Sequence, residues 1–144
     1  MPVSQNLRFS AECPKDTVFD YPPGAALMRH FARSVSAAGW QTGELANWRD
    51  AGWSISCSRN TNSLQVAFAG SRDGEWMLQI SPLRRAGLVR SLFGGKSSAT
   101  PQEIQDIALV IHRACQQLPS HRDMKWRWDG FPDDSHATSE PQPA

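Results

Sequence analysis

Lysine, tyrosine and cysteine are all scarce in this chain. Three Lys stand against twelve Arg, and one Tyr against six Trp, in 144 residues. Cys13, Cys57 and Cys115 are odd in number and far apart, which excludes the dense disulfide framework of a small secreted domain. No apolar run approaches the roughly 18 residues that a membrane helix requires. The opening Met1-Pro2-Val3-Ser4-Gln5-Asn6 has neither the basic nor the apolar character of a secretion signal. These absences lead us to expect a cytoplasmic protein with no membrane contact.

Chemical motifs are missing too. Gly94-Gly95-Lys96-Ser97 resembles the end of a phosphate-binding loop, but Arg90 stands where that pattern demands glycine, and no buried parallel strand precedes it. No Gly-x-Ser-x-Gly elbow occurs, and no close Cys-x-x-Cys pair. His112 and Cys115 share one side of a helix, with Cys57 on a facing strand. Cys115 falls in the apolar stripe, Cys57 alternates with core residues and His112 reads as a boundary histidine, and a buried free cysteine is ordinary packing. Adjacent acids occur only at Asp133-Asp134, in a segment read as unstructured, where carboxylate pKa values cannot be tuned. The expectation is a chain that is not an enzyme and holds neither metal nor cofactor.

Charge is modest at +1 but uneven. Four of the 14 acids lie in residues 129–144, which contain no Lys or Arg, so the remainder is mildly basic. That excess falls short of the dense basic clusters, flanked by stacking aromatics, that read nucleic acid. We therefore do not expect a nucleic-acid partner.

What the sequence does contain is clear periodicity. Leu27, Met28, Phe31, Val35 and Ala38 recur at helical spacing, Gly39 supplies a C-terminal stop, and Arg29, Arg33 and Ser36 fall on the other side. Residues 40–52 lack a strong period and read as a loop or a short helical turn. Strict alternation then marks three strands, carried by Trp53/Ile55/Cys57, Leu64/Val66/Phe68 and Trp76/Leu78/Ile80. Turns separate them at residues 59–62 and at Asp73-Gly74. The opposite face of this meander holds Ser54, Ser56, Ser58, Gln65, Ala67, Ala69, Met77 and Gln79, all uncharged. A covering segment or a partner is expected there.

Residues 83–99 read as a long basic connection with a short helix near residues 86–93. Thr100, Pro101 and Glu103 form a capping box ahead of the stripe Ile104, Ile107, Ala108, Ile111, Ala114, Cys115 and Leu118. Leu109 lies opposite that stripe. Met124, Trp126 and Trp128 alternate as a fourth short strand.

The expected fold class is α+β, a two-layer sandwich in the order α-β-β-β-loop-α-β. It comprises a three-stranded antiparallel meander plus a fourth short strand, covered by two main helices. Residues 1–23, with four prolines, read as an extended N-terminal arm with one short strand near Leu7 to Phe9. Residues 24–132 read as a single α/β domain, and residues 133–144 as a disordered acidic tail.

Two clusters stand out as candidate contacts: the loop residues Trp48, Arg49 and Asp50, and the basic group Arg84, Arg85 and Arg90. Trp and Arg are enriched where binding energy concentrates. The run Asn47-Trp48-Arg49-Asp50-Ala51-Gly52-Trp53 leading into a meander, with Trp76-Met77-Leu78-Gln79-Ile80-Ser81-Pro82, resembles small bacterial toxin-neutralising proteins of the immunity kind. The resemblance covers the layout of residues 24–131. It implies a protein partner, a toxin or secreted effector whose active site is blocked or distorted, and no reaction by this chain. The α-β-β-β-α-β order is also similar to chaperones of the type III secretion kind, though those are typically acidic dimers. A third expectation is a small-ligand binder or enzyme using the sheet face.

Overall fold

A computed structural model describes residues 4–12, 23–60, 62–70, 74–83 and 99–144. The fold is α+β: among the described residues, an antiparallel seven-stranded sheet with two helices against its apolar face. The elements are β1 (Gln5–Ser10), α1 (Ala25–Ala37), β2 (Gln41–Thr42), β3 (Ala46–Trp48), β4 (Gly52–Arg59), β5 (Asn62–Gly70), β6 (Glu75–Pro82), α2 (Pro101–Gln116) and β7 (Arg122–Trp128). Spatially the strands run β2-β4-β5-β6-β1-β7, with β3 also paired to β4.

The meander forms as the alternation predicts. Ile55 lies opposite Val66 and Val66 opposite Ile80, so their side chains share one face. That face meets α1 through Phe31, which packs edge-on against Phe9 and Phe68 at centroid distances of 6.3 and 6.1 Å. It meets α2 through Ile104, Ile107 and Ile111, all fully buried. Burying each such side chain contributes roughly 1.5–3 kcal/mol before entropy is charged. His30 bonds the Ala114 carbonyl at 2.9 Å and ties the two helices together.

The ends of the helices follow their sequence signals. The Thr100 hydroxyl accepts from the Glu103 amide at 3.2 Å, and the Glu103 carboxylate accepts from the Thr100 amide at 3.1 Å, closing the predicted capping box. Gly39, just past α1, takes the left-handed φ of 100° that favours glycine there. Leu109 is one of the exposed large apolar residues, on the side of α2 away from the core.

The short strand expected near Leu7 to Phe9 in the arm over residues 1–23 is present, and two other expectations are corrected. The short strand within it spans Gln5–Ser10 and is hydrogen-bonded on both sides, to β6 and to β7. Leu7 and Phe9 face the helices, and even Gln5 is fully buried. Residues 40–52 are not a plain loop, because β2 and β3 both pair with β4 and form a broken edge strand.

Residues 133–144 are not a loose tail. Thr138 exchanges two backbone hydrogen bonds with Trp126, at 2.8 and 3.0 Å, and Pro132 and Pro141 are buried. Their low hydrophobicity suggested disorder, but the segment docks through hydrogen bonds and ion pairs to β7 together with the two buried prolines. The expected helix near residues 86–93 lies outside the described residues.

Candidate functional site

The loop singled out by sequence is the tip of the β3–β4 hairpin. Trp48 pairs with Gly52, and the Ala51 amide donates to the Trp48 carbonyl at 3.0 Å. Arg49 and Asp50 both have a φ of 56°, so two consecutive non-glycine residues sit in the left-handed region. That conformation costs roughly 1–2 kcal/mol for an ordinary residue. The Asn47 side chain holds it by accepting from the Asp50 amide at 2.8 Å. Gly52 belongs here for a second reason: a Cβ at that position would overlap the Phe68 carbonyl oxygen.

The tip presents its side chains rather than burying them. Arg49 and Asp50 are exposed and Trp48 is half-buried. The Arg49 guanidinium lies 5.5 Å from the Trp48 ring centroid, within cation–π range. The register places Trp48 on the sheet face of Gly52, Ser54 and Ala67, the face opposite the helices.

On that face, β4, β5 and β6 carry Gly52, Ser54, Ser56, Ser58, Ser63, Gln65, Ala67, Ala69, Met77, Gln79 and Ser81, all uncharged, and one charged residue, Glu75, at the start of β6. The charge begins with Glu75, paired to Arg8. Beyond it Arg8, Lys125 and Arg127 share the β1–β7 end of the same face, where residues 131–134 cross them. Among the described residues, the segment that folds back therefore lies on the charged end, not on the uncharged stretch.

Of the remaining predicted residues, Arg84, Arg85 and Arg90 lie outside the described residues. Trp48, Arg49 and Asp50 are brought together at one tip. The metal candidates have other occupations. Cys57 and Cys115 are fully buried, and burial pushes the Cys57 thiol up to about 12, far from the thiolate a metal binds. His112, 8 % exposed, accepts from the fully buried Trp126 indole through Nδ1 at 3.1 Å. Burial holds its pKa below the ordinary imidazole value, against a smaller upward pull from Glu140. Among the described residues no group of three His, Cys, Asp or Glu side chains is placed to hold a metal ion.

Two features escaped sequence reasoning. A shallow depression of about 520 Å³ on the outer side of α1 is lined by Arg29, Ala32, Arg33, Ser36, Ala37 and Thr42. The spacing of Arg29, Arg33 and Ser36 put those three together, but β2 carries Thr42 and had no legible signal. The second is the docked segment.

There, Asp133 Oδ1 accepts from the Ser135 hydroxyl at 2.8 Å and from the Ser135 and His136 amides at 3.1 and 3.0 Å, while Oδ2 meets Arg127 at 3.4 Å. These donors, the Ser135 hydroxyl first, lower its pKa to about 2. The helix length and apolarity needed to cross a membrane are met by no helix among the described residues. No protein-family model and no curated protein sequence matches the chain.

Proposed function

We propose that this chain is a non-catalytic protein-binding module of the immunity kind, cytoplasmic, which neutralises a toxin or effector through the β3–β4 tip and the adjoining uncharged sheet face. The observation that carries the reading is the tip itself, where Arg49 lies over Trp48 on a turn locked in a left-handed conformation. Pre-setting a strained turn lowers the ordering cost of binding. A large amphipathic ring with a guanidinium beside it is the residue pair enriched at interface hot spots.

Ser54 and Ala67 beside the tip are already buried, but the accessible positions farther along the face, Ser56, Ser58, Gln65 and Gln79, suit the same role. Ser, Ala and Gln side chains are cheap to desolvate compared with charges, each of which loses several kcal/mol of hydration when buried without a partner. Small side chains also let a partner surface approach the strand backbone closely.

The test is affinity capture of the tagged full chain from lysate of its own organism, run beside Arg49→Glu and Trp48→Ala. One stoichiometric partner should survive high salt on the unaltered chain, be lost from both variants, and have its own activity inhibited by the purified chain. Retention of the same partner by both variants, or of none by any chain, overturns the reading.

A further inference from the structure

The edge of β7 poses an electrostatic problem that the segment following it solves. In the β1–β7 register Arg8 stands directly opposite Lys125, and Arg127 follows two residues along the same face. Like charges directly opposite on a sheet are destabilising. Three acids answer them: Glu75 meets Arg8, Asp134 meets Lys125 and Asp133 meets Arg127. Two of these acids come from the docked segment.

The backbone of the edge is answered as well. Trp126 exchanges both its amide and carbonyl bonds with Thr138. The Trp128 amide donates to the Gln142 side-chain oxygen at 3.1 Å, and the Gln142 side-chain amide donates to the Trp126 carbonyl at 3.0 Å. An unpaired strand edge is a template for another chain.

We propose that the outer edge of β7, with its Arg8–Lys125–Arg127 row, is a second protein-docking site. It fits an extended partner segment bearing adjacent carboxylates, and residues 130–144 occupy it in cis. The cover is shallow compared with the sheet beneath. It makes one bridge pair, at Trp126 and Thr138, where β1 pairs with six residues of β6. Asp134 is 85 % exposed and Asp133 48 % exposed, and exposed ion pairs of this kind contribute little. Phe131, over the Arg8 guanidinium at 5.6 Å, is 56 % exposed. A partner strand making continuous backbone bonds along the same edge, with its own acid pair, would offer more than the cover does.

This site is at the opposite sheet edge from the hairpin tip and stands without it. The test uses the full chain, the double variant Asp133→Lys/Asp134→Lys, and Gln142→Ala as a milder release. Hydrogen exchange is read first at the Trp126 and Trp128 amides. Both variants should speed it at least tenfold while the Leu7 and Leu78 amides stay protected.

A fluorescent peptide of residues 130–144 is then titrated by anisotropy. It should bind the double variant at least tenfold more tightly than the unaltered chain, whose own segment competes at high effective concentration. The same peptide with lysine in place of both aspartates should bind at least tenfold more weakly, and Arg49→Glu should change none of these values. Unchanged exchange in both variants, a released edge that ignores the peptide, or equal binding of both peptides would each overturn the proposal.

Discussion

The two ends of the sheet face away from the helices are built on opposite principles. Over β4, β5 and all of β6 but its first residue, Glu75, the described positions are uncharged, and the edge strand beside them is broken into β2 and β3. Over β1 and β7 three cations crowd together, and a folded-back segment supplies carboxylates and backbone partners. An uncharged surface can be covered or bared at small cost, whereas crowded like charges demand counter-charges at all times. The first arrangement suits a surface kept for a partner. The second suits a surface that is filled until something better displaces the filling.

Replacing one tryptophan on the helix side of β7 and one at the tip should give the largest difference. Trp126 is fully buried and bonds His112, so Trp126→Ala should cost about 3–5 kcal/mol in urea unfolding. Trp48 is half-buried at the tip, and Trp48→Ala should cost less than about 1.5 kcal/mol while abolishing partner capture. Comparable losses of stability would mean that the tip is structural and would remove the distinction.

Gln142→Ala comes next. It strips partners from the Trp128 amide and the Trp126 carbonyl, which should cost about 1–2 kcal/mol, measured as a shift in urea midpoint. A smaller effect would place the segment's stability in its buried prolines instead.

The helix side of β7 should also respond to pH. His112 titrates near 6.5 when unfolded and lower when folded, because burial disfavours the imidazolium and the Trp126 indole needs the Nδ1 lone pair. Below about pH 6.5 the unfolded chain therefore binds the extra proton. The contribution is complete above that pH and is lost as pH falls towards the lowered folded value. Urea midpoints should drop as pH falls below about 6.5, and His112→Asn, which keeps an acceptor but cannot titrate, should flatten the drop. Asp133 behaves likewise in a lower window, its contribution being present above the ordinary 3.8 and lost as pH falls through about 2.

The smallest expected effect lies at the tip. Arg49→Gly relieves a left-handed φ and should raise stability by about 0.5–1 kcal/mol, net of the freedom glycine adds to the unfolded chain. Partner capture should fall in the same variant. A gain in stability with unchanged capture would sharpen the account by showing that the turn, not the guanidinium, is what the partner requires.

Local signals carried much of this molecule. The alternation of Trp53, Ile55, Cys57 and their neighbours specified the meander and its apolar face. The Thr100–Glu103 box and the isoleucine stripe specified α2 almost to the residue. The site was legible in part, since Trp48-Arg49-Asp50 stood out by composition. The left-handed turn there did not, because nothing in that triplet demands a positive φ until Asn47 and the pairing of Trp48 with Gly52 impose it.

What the sequence determined by itself was whatever depends on a residue's near neighbours: helical stripes, caps, alternation and the mildly uneven charge. Which strands lie side by side was decided only in three dimensions. Gln5–Ser10 has two large apolar residues and reads as an arm, yet it sits inside the sheet because β6 and β7 satisfy its backbone from both sides. Residues 133–144 are polar and proline-rich, yet they dock because Lys125, Arg127 and the edge of β7 lack partners without them. The Ser4 amide bonds Asp129 across 125 residues of chain, and no local period records such a choice. A backbone edge accepts any strand of suitable chemistry, so the partner is fixed by the collective packing of the fold rather than by the few residues that meet.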